Sequence, residues 1–416
     1  MKYMVLKLLV LLVTFWLSEA FAQADAIKLH RGFPTDIWVN WLANDEFVNE
    51  TNIKTFPEYR QSLNASHFKK MKDAGFDFVR LTLDPAIYLI KPSAEKTAKL
   101  NAGVLAAIAE IRGVGLNVDV DIHAIPVSGR SVGTESYLKD DASFAEYLNL
   151  VRDIAKMIAD QDPAHVAFEP MNEPTIDCEW EKASKAKPRW PAMAKKMHDV
   201  ARAAAPKLTI VLSGACWGGA DSLAVLKPSE FKDENIIWSF HNYEPMYFTH
   251  QGASWAYDAL PYFDGLSFPP DSKNRAKFTK ATLARIEASD KTKDEKTKLV
   301  IEAKAAIDQY FKKGWAMDQL RLAPDMAAQW QAENGVPSAR IIVGEFGVMK
   351  QDQTSVVPDV TRAKYMEQSR KIYESHGWAW SAWSWGGSMG ITDSDADRNP
   401  TPAIMKALGM KVPSLF

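Results

Sequence analysis

Short apolar runs recur along the chain, and a stretch with helical periodicity separates each run from the next. The segment 143–162 shows this most clearly, because apolar residues follow one another there at steps of three and four and mark one buried stripe. These residues are Phe144, Leu148, Val151, Ala155 and Ile158. The β-rich runs are FDFVRLTL from Phe76, LNVDVDIH from Leu116, HVAFEP from His165, LTIVLSG from Leu208, NIIWSFHNY from Asn235, RIIVGEFG from Arg340 and WAWSAWSW from Trp378.

This alternation predicts parallel strands joined by right-handed helical crossovers, because the runs are apolar on both faces, as strands covered by helices are. A first strand within residues 26–41 brings the number of strands to eight. No GxGxxG turn follows any of these runs, so a closed (β/α)8 TIM barrel is favoured over an open dinucleotide-binding sheet. Gly75, Gly113 and Gly377 stand where helices are expected to end in a left-handed cap.

The connection between the sixth and seventh strands is enlarged, since the segment 246–339 is far longer than one crossover helix requires. It contains the charged run DKTKDEKTK, which we interpret as a solvated turn between helices. It also contains an aromatic stretch, interpreted either as part of a loop over the barrel rim or as a small satellite cluster. The aromatic residues are Trp255, Tyr257, Tyr262, Phe263 and Phe268. We therefore expect a single barrel domain, residues 23–416, that carries this insertion.

Composition and charge narrow the classes of function. The chain has 416 residues, of which 47% are hydrophobic and 25% are charged, which is typical of a globular protein. The formal net charge of −2 provides no general attraction for nucleic acid or for an anionic membrane.

The first 22 residues resemble a secretory signal in their composition. Lys2 precedes an apolar stretch at 5–17, and small residues follow at Ala20 and Ala22. This pattern predicts export and a secreted or periplasmic protein. In an oxidising compartment Cys178 and Cys216 form either one disulfide or two free thiols, and both alternatives stay open at this point.

Polar side chains stand at the carboxyl ends of the predicted strands, which is the end that forms the active-site mouth of such a barrel. They are Arg80, His123, Asn172, Glu173, His241, Tyr243, Glu345 and Trp383. Burying two glutamates, two histidines and an arginine together is costly unless the groups pair or take part in a reaction. Two carboxyl groups without metal-ligand spacing suggest cleavage of a glycosidic bond, with one as a proton donor and the other as a nucleophile.

The two carboxyl groups need opposite protonation states. An arginine beside Glu345 would keep that carboxylate ionised, and apolar surroundings would keep Glu173 protonated. Asn172 suits a hydrogen bond to a sugar 2-hydroxyl, Tyr243 suits one to the nucleophile, and Trp383 offers a flat face to a sugar ring.

Several tryptophans compete for the role of sugar platform. Trp380 and Trp385 bracket Trp383, and Trp385 shares its face of the strand, so the assignment depends on register. In the first-strand region, Trp38 or Trp41 either lines a sugar subsite or packs against the barrel.

The order of these motifs resembles glycoside hydrolase family 5, the large cellulase-containing family of retaining (β/α)8 barrels. The motifs that carry the resemblance are Arg80 in FVRL, His123 in DIHAIP, Asn172-Glu173-Pro174, His241 and Tyr243 in HNYEP, Glu345 in GEFG and Trp383 in AWSW. The resemblance implies that Glu173 is the acid/base, that Glu345 is the nucleophile and that the other residues bind substrate. It further implies a monomeric endo-β-1,4-glucanase that acts on polysaccharide or oligosaccharide without a cofactor or metal.

Three other functions remain open. A β-mannanase or a β-1,3-glucanase would use the same chemistry, because loops outside the motifs set specificity. A metal-dependent barrel hydrolase would use His30, His123 and His241, although the chain has no His-x-His pair. A non-catalytic glycan-binding barrel is the third, and the presence of both glutamates argues against it.

Overall fold

The computed structural model describes residues 26–35, 38–39, 63–124, 133–178, 187–315, 317–352, 355–393 and 398–412, and the predicted signal at 1–22 lies outside them. The described part of the chain forms a closed barrel of parallel strands in the order β1-β10-β7-β6-β5-β4-β3-β2. These strands are β1 Arg31–Pro34, β2 Phe78–Leu83, β3 Asn117–Ile122, β4 Val166–Glu169, β5 Thr209–Ser213, β6 Ile236–His241, β7 Ile341–Phe346 and β10 Ala379–Ala382. A short antiparallel pair, β8 Gln351–Asp352 and β9 Ser355–Val356, lies outside the barrel. The predicted (β/α)8 fold is confirmed.

Helices lie between the barrel strands and provide the outer layer of the fold. Between β5 and β6 these are two 3₁₀ helices, Ala220–Val225 and Pro228–Glu230, and the other connections of the barrel contain α-helices. The α-helices are α1 Ala65–Ala74, α2 Ala86–Leu89, α3 Ala94–Gly113, α4 Thr134–Leu138, α5 Asp141–Ile158, α6 Trp190–Ala204, α7 Met246–Thr249, α8 Arg275–Ala288, α9 Lys293–Lys313, α10 Met317–Leu320, α11 Leu322–Glu333, α12 Asp359–Ser375 and α13 Pro402–Ala407. Among these described helices, none is long and apolar enough to cross a membrane.

Helix ends follow local sequence signals, with one exception to the prediction. Gly75 and Gly377 adopt the left-handed conformation, with φ of 116° and 74°, as expected for residues after α1 and α12. Gly113 is the last residue of α3, so the helix ends there as predicted, but the prediction of a left-handed cap at Gly113 is wrong. The left-handed position belongs to Gly115, with φ of 84°, two residues beyond the end of the helix.

The segment between β6 and β7 is an insertion of helices, α7 to α11, as its length predicts. Phe263 and Phe268 are buried within it, whereas Trp255 and Tyr257 are exposed, so the aromatic stretch is partly a satellite cluster and partly surface. The charged run is not only a turn. Its second half is the first turn of α9, where the Thr292 side chain accepts from the backbone N–H of Glu295 in a capping box.

The barrel interior has an apolar floor and a polar layer above it. Phe78, Ala167, Val211, Ile237, Ile342 and Ala379 form the floor together with Ile27 and Leu29. The Phe78 ring crosses so close to β1 that a Cβ on Gly32 would lie 2.2 Å from it, which requires glycine there. The next inward positions, two residues further along the strands toward the mouth, are polar. They are Arg80, Asp119, Glu169, Ser213, Ser239 and Ser381.

A disulfide joins the loops that follow β4 and β5. Cys178 and Cys216 are bonded, with their Cα atoms 4.6 Å apart and a separation of 38 positions in sequence. The same loops share two backbone hydrogen bonds, from Cys216 N–H to Ile176 C=O and from Trp217 N–H to Pro174 C=O, each 3.1 Å long. Of the two alternatives for the cysteines, the structure has the disulfide, which braces one side of the barrel mouth.

We expect that replacing both Cys178 and Cys216 with serine lowers the free energy of unfolding by about 2–4 kcal/mol, because the disulfide restricts the unfolded chain. Urea unfolding of the oxidised protein and of the variant measures this difference. A reductant should destabilise the oxidised protein and leave the serine variant unchanged. Equal free energies of unfolding for the oxidised protein and the serine variant would show that the disulfide does not stabilise the fold.

Candidate active site

Arg80 lies at the centre of the hydrogen-bond network at the mouth of the barrel and is fully buried. Its Nη1 donates to Glu345 Oε1 at 2.6 Å, its Nε donates to Glu169 Oε2 at 2.7 Å, and its Nη2 donates to Asn172 Oδ1 at 2.8 Å. Nη2 also lies 3.1 Å from Asp121 Oδ2. The predicted pairing of arginine with Glu345 is therefore present in the structure.

Glu345 is held from two sides. Besides the bond from Arg80, the Tyr243 hydroxyl donates to Glu345 Oε2 at 2.8 Å. Both donors stabilise the ionised form of a carboxylate. Burial and the neighbouring Glu345 carboxylate raise the pKa of Tyr243 well above its ordinary range, so the phenol keeps its proton and stays a donor.

His123 and Asn172 form the side of the mouth next to Arg80. His123 Nδ1 lies 2.6 Å from Asp121 Oδ2, and Asn172 Nδ2 lies 3.4 Å from His123 Nε2. Burial, followed by the Arg80 charge, lowers the pKa of His123 to about 3, so the ring is neutral at pH 7. A neutral ring that donates from Nδ1 accepts at Nε2, which orients the Asn172 amide with its nitrogen toward His123 and its oxygen toward Arg80.

Glu173 follows β4 on a loop with an uncommon backbone conformation. Its φ of 41° lies in the left-handed region, which costs a non-glycine residue about 1–3 kcal/mol. The Thr134 hydroxyl donates to the Glu173 C=O at 2.8 Å, and Glu173 Oε1 lies 2.8 Å from His241 Nδ1. The side chain of Glu173 is 19% exposed, against 5% for Glu345, so it faces the opening of the mouth.

A shift in strand register brings His241 beside Glu345. The pairing of β6 with β7 slips between Phe240 and His241, so that His241 is opposite Glu345. Gly344 makes room for the ring, since a Cβ there would lie 2.8 Å from His241 Nε2. As a result, one carboxylate oxygen of Glu173, one ring nitrogen of His241 and one carboxylate oxygen of Glu345 lie within 4.8 Å of one another.

Glu173 and His241, at the open side of the mouth, are both uncharged near neutral pH. Burial raises the pKa of Glu173 to about 8, against the opposing effect of the Arg80 charge. Burial lowers the pKa of His241 to about 4, although the Glu345 carboxylate opposes this shift. A protonated carboxylic acid thus stands next to a carboxylate that an arginine and a tyrosine hold.

Of the three tryptophans around the end of β10, Trp383 lies in the mouth, whereas Trp380 and Trp385 do not. The Trp383 ring stacks on His123 with centroids 5.1 Å apart and planes 12° from parallel. Trp380 and Trp385 are fully buried, and Trp385 packs against Phe33. Among the three candidates, Trp383 is the one whose ring can meet a ligand.

The structure also gives the positions of the first-strand tryptophan and of the three histidines that were considered as metal ligands. Of the two alternatives for Trp38, the structure has packing in the core, since Trp38 is fully buried against Phe68, and Trp41 lies outside the described residues. His30 precedes β1 and contacts Asp77, whereas His123 and His241 are at the opposite ends of their strands. The three histidines therefore cannot share a metal ion. A metal ion beside Glu345 would also be repelled by the positive charge of Arg80.

Several residues of the site were not singled out from the sequence. Asp119, Asp121 and Glu169 lie inside the strand runs, where they read as single polar residues among apolar ones. Trp217 is 49% exposed on the loop after β5, where it contacts the chain next to Glu173 through Pro174. The sequence signal that could have identified these acids is their position on the strands: Asp119 and Asp121 stand two residues apart in NVDVDI, and Glu169 ends VAFE.

Comparison with known proteins agrees with this geometry. A family model described as cellulase, glycosyl hydrolase family 5, matches residues 41–389. Endoglucanase 3 of Fibrobacter succinogenes is 27% identical over 375 residues, which cover 86% of this chain and 50% of that protein. Cellodextrinase A of Ruminococcus flavefaciens is 26% identical over 250 residues, which cover 59% of this chain and 66% of that protein. The chain thus spans about half to two thirds of the length of these curated relatives.

Solved structures share the fold. Endoglucanase Cel5A from the hyperthermophilic Thermotoga maritima matches with a TM-score of 0.59 at 20% identity and covers 91% of this chain and 96% of its own. The cellulose synthase subunit Z of Clostridioides difficile matches with a TM-score of 0.59 at 19% identity and covers 92% of this chain and 99% of its own. Because the family match extends over most of the sequence and both glutamates lie within it, the chain belongs to glycosyl hydrolase family 5, the cellulase family.

Proposed function

We propose that this chain is a retaining endo-β-1,4-glucanase, with Glu173 as acid/base and Glu345 as nucleophile. The observation that carries the proposal is the short separation of the two carboxyl groups, which have oxygens within 4.8 Å of each other. Retaining glycosidases hold these groups about 5–5.5 Å apart, whereas inverting enzymes need roughly 6.5–9.5 Å to admit a water. The short gap therefore supports retention.

The reaction proceeds in two displacements at the anomeric carbon. In the first, a Glu345 oxygen attacks that carbon, the glycosidic bond breaks, and the leaving oxygen takes the proton of Glu173. In the second, the Glu173 carboxylate takes a proton from water, the water oxygen attacks the same carbon, and the Glu345 carboxylate is released. Two inversions leave the configuration of the sugar unchanged.

The remaining residues of the mouth bind substrate or orient the two glutamates. Arg80 and Tyr243 orient Glu345 through the hydrogen bonds that they donate to it, and the His241 ring contacts both Glu173 and Glu345. The second hydrogen on Asn172 Nδ2 serves a sugar 2-hydroxyl, and His123 orients that amide. Trp383 provides a face on which a sugar ring stacks.

The choice of β-1,4-glucan follows the relatives, which are named endoglucanase and cellodextrinase. Structures of Thermotoga maritima Cel5A carry cellobiose in one case and mannotriose in another, so that protein admits more than one sugar. A mannan-containing substrate therefore belongs in any test of this chain. We also propose that the protein is exported through the signal at 1–22, is secreted or periplasmic, and acts as a monomer.

We expect the purified protein to release reducing sugar from carboxymethylcellulose and from mixed-linkage β-glucan, because both contain soluble β-1,4-linked glucose. Laminarin, glucomannan and xylan, assayed beside them, distinguish the β-1,3-glucanase and β-mannanase alternatives. Glu173→Gln is the control, and its turnover should be about 10²–10⁴-fold lower. No release from any of the five substrates would contradict the proposal and favour a binding-only barrel.

The nucleophile is identified by replacing Glu345. Glu345→Gln should lower turnover roughly 10⁴-fold or more, since no covalent intermediate can form. Glu345→Gly with added azide should regain activity and yield a glycosyl azide of inverted anomeric configuration, measured by NMR of the product. An azide product of retained configuration, or unimpaired turnover in Glu345→Gln, would exclude the assignment.

The pH dependence follows from the raised pKa of Glu173. Since the acid must be protonated to act, kcat/KM should fall as pH rises through about 8. An aryl cellobioside with a good leaving group needs no acid in the first step, so Glu173→Gln should lose this alkaline limb on that substrate. A fall in kcat/KM centred near pH 5, the range of an ordinary exposed carboxyl group, would argue against the assignment.

A further inference from the structure

A layer of buried acids lies in the barrel beneath the two glutamates of the mouth. Asp119 and Asp121 on β3 are 0% exposed and Glu169 on β4 is 1% exposed. The strand register places Asp119 beside Arg80 and Asp121 beside Glu169. Because buried carboxyl groups are costly, three of them inside one barrel require partners or a role.

Glu169 anchors the arginine that the nucleophile uses. It accepts from Arg80 Nε at 2.7 Å, while Arg80 Nη1 donates to Glu345 at 2.6 Å. The guanidinium is planar and rigid, so an acceptor on Nε determines the direction in which Nη1 points. The carboxylate of Glu169 thus sets the orientation in which Arg80 meets Glu345.

The cluster holds more acids than its single arginine can neutralise. Burial, together with the Glu169 charge, raises the pKa of Asp119 well above its ordinary range, which favours its protonated form. Burial also raises the pKa of Glu169, but the charge and hydrogen bond of Arg80 oppose that shift. We therefore assign the negative charge to Glu169 and the proton to Asp119.

We propose that Glu169 is a positioning residue, which orients Arg80 toward the nucleophile and keeps a negative charge beneath the acid/base Glu173. This inference rests on the proposed function, because it assigns a role within the glycosidic cleavage. Arg80 alone would favour the ionised form of Glu173, and the carboxylate of Glu169, which is bonded to Arg80, offsets that effect.

The electrostatics around Glu173 agree with this role. Burial is the largest cause of its raised pKa, Arg80 opposes the shift, and Asp121 and Glu169 add to it. Other titratable groups also act on Glu169 or respond to its charge. Together they come from β2, β3, α5, β6 and the loops after β3 and β4: Arg80, Asp119, Asp121, His123, Tyr147, Glu173 and His241.

The test is the pH profile of Glu169→Gln, which keeps an oxygen acceptor for Arg80 Nε and removes the charge. Loss of a nearby negative charge favours the ionised form of Glu173, so the alkaline limb of kcat/KM should move to lower pH by roughly half a unit to one unit. A lower kcat with the limb unmoved is the result of a merely structural role and would overturn the proposal.

Asp119→Asn is the matched control, because it replaces an adjacent buried carboxyl group, to which we assign the proton, with an uncharged amide of the same shape. Its alkaline limb should stay where the unmodified protein has it. If Asp119→Asn moves the limb and Glu169→Gln does not, the charge belongs to Asp119 and the assignment is wrong.

Glu169→Asp separates position from charge, and it carries the test if Glu169→Gln does not fold. The shorter side chain keeps the charge and loses its reach to Arg80, so the limb should stay in place while kcat falls roughly 10- to 100-fold. An unchanged kcat would show that Arg80 needs no anchor. The profile of the unmodified protein is recorded first, and absence of hydrolysis there is a failure of the proposed function, distinct from any result with the variants.

Discussion

The buried guanidinium of Arg80 is the group on which the arrangement of the barrel mouth depends. A charge with no exposure to water destabilises a fold strongly unless acceptors surround it. Here Glu345, Glu169 and Asn172 each accept from a different nitrogen. Because the guanidinium is planar, these acceptors from β4, the loop after β4 and β7 are tied to one another, and the orientations of His123 and Tyr243 follow at the next contact.

In this barrel, hydrophobic burial elsewhere offsets the free-energy cost of a polar interior near the mouth. Hydrophobic burial is concentrated between the strands and the outer helices and in the apolar floor below Arg80. The interior near the mouth is therefore free to hold acids and serines. The left-handed conformation of Glu173 is compatible with the fold because Thr134, the bonds between the β4 and β5 loops and the nearby disulfide hold the chain around it.

Local sequence patterns located the strands well because an apolar run bounded by turn residues is itself the physical condition for a buried parallel strand. They failed where two local signals compete. Gly113 ends its helix, but the expected left-handed conformation is taken by Gly115, the second glycine of the same turn. The run DKTKDEKTK looked like a solvated turn, yet Thr292 and Glu295 cap a helix within it. Among the tryptophans, composition alone could not separate the buried Trp380 and Trp385 from Trp383.

The amino-acid sequence by itself determined the eight strands, the insertion after the sixth and the polar residues at the strand ends, because each of these depends on neighbours along the chain. Only the tertiary structure decided which groups meet. Arg80 and Glu345 are 265 positions apart, and closing the barrel brings them within hydrogen-bond distance. The same closure places Asp119, Asp121 and Glu169 beneath the mouth and pairs Cys178 with Cys216. Contacts of this kind depend on register and closure across the barrel, which no local pattern encodes.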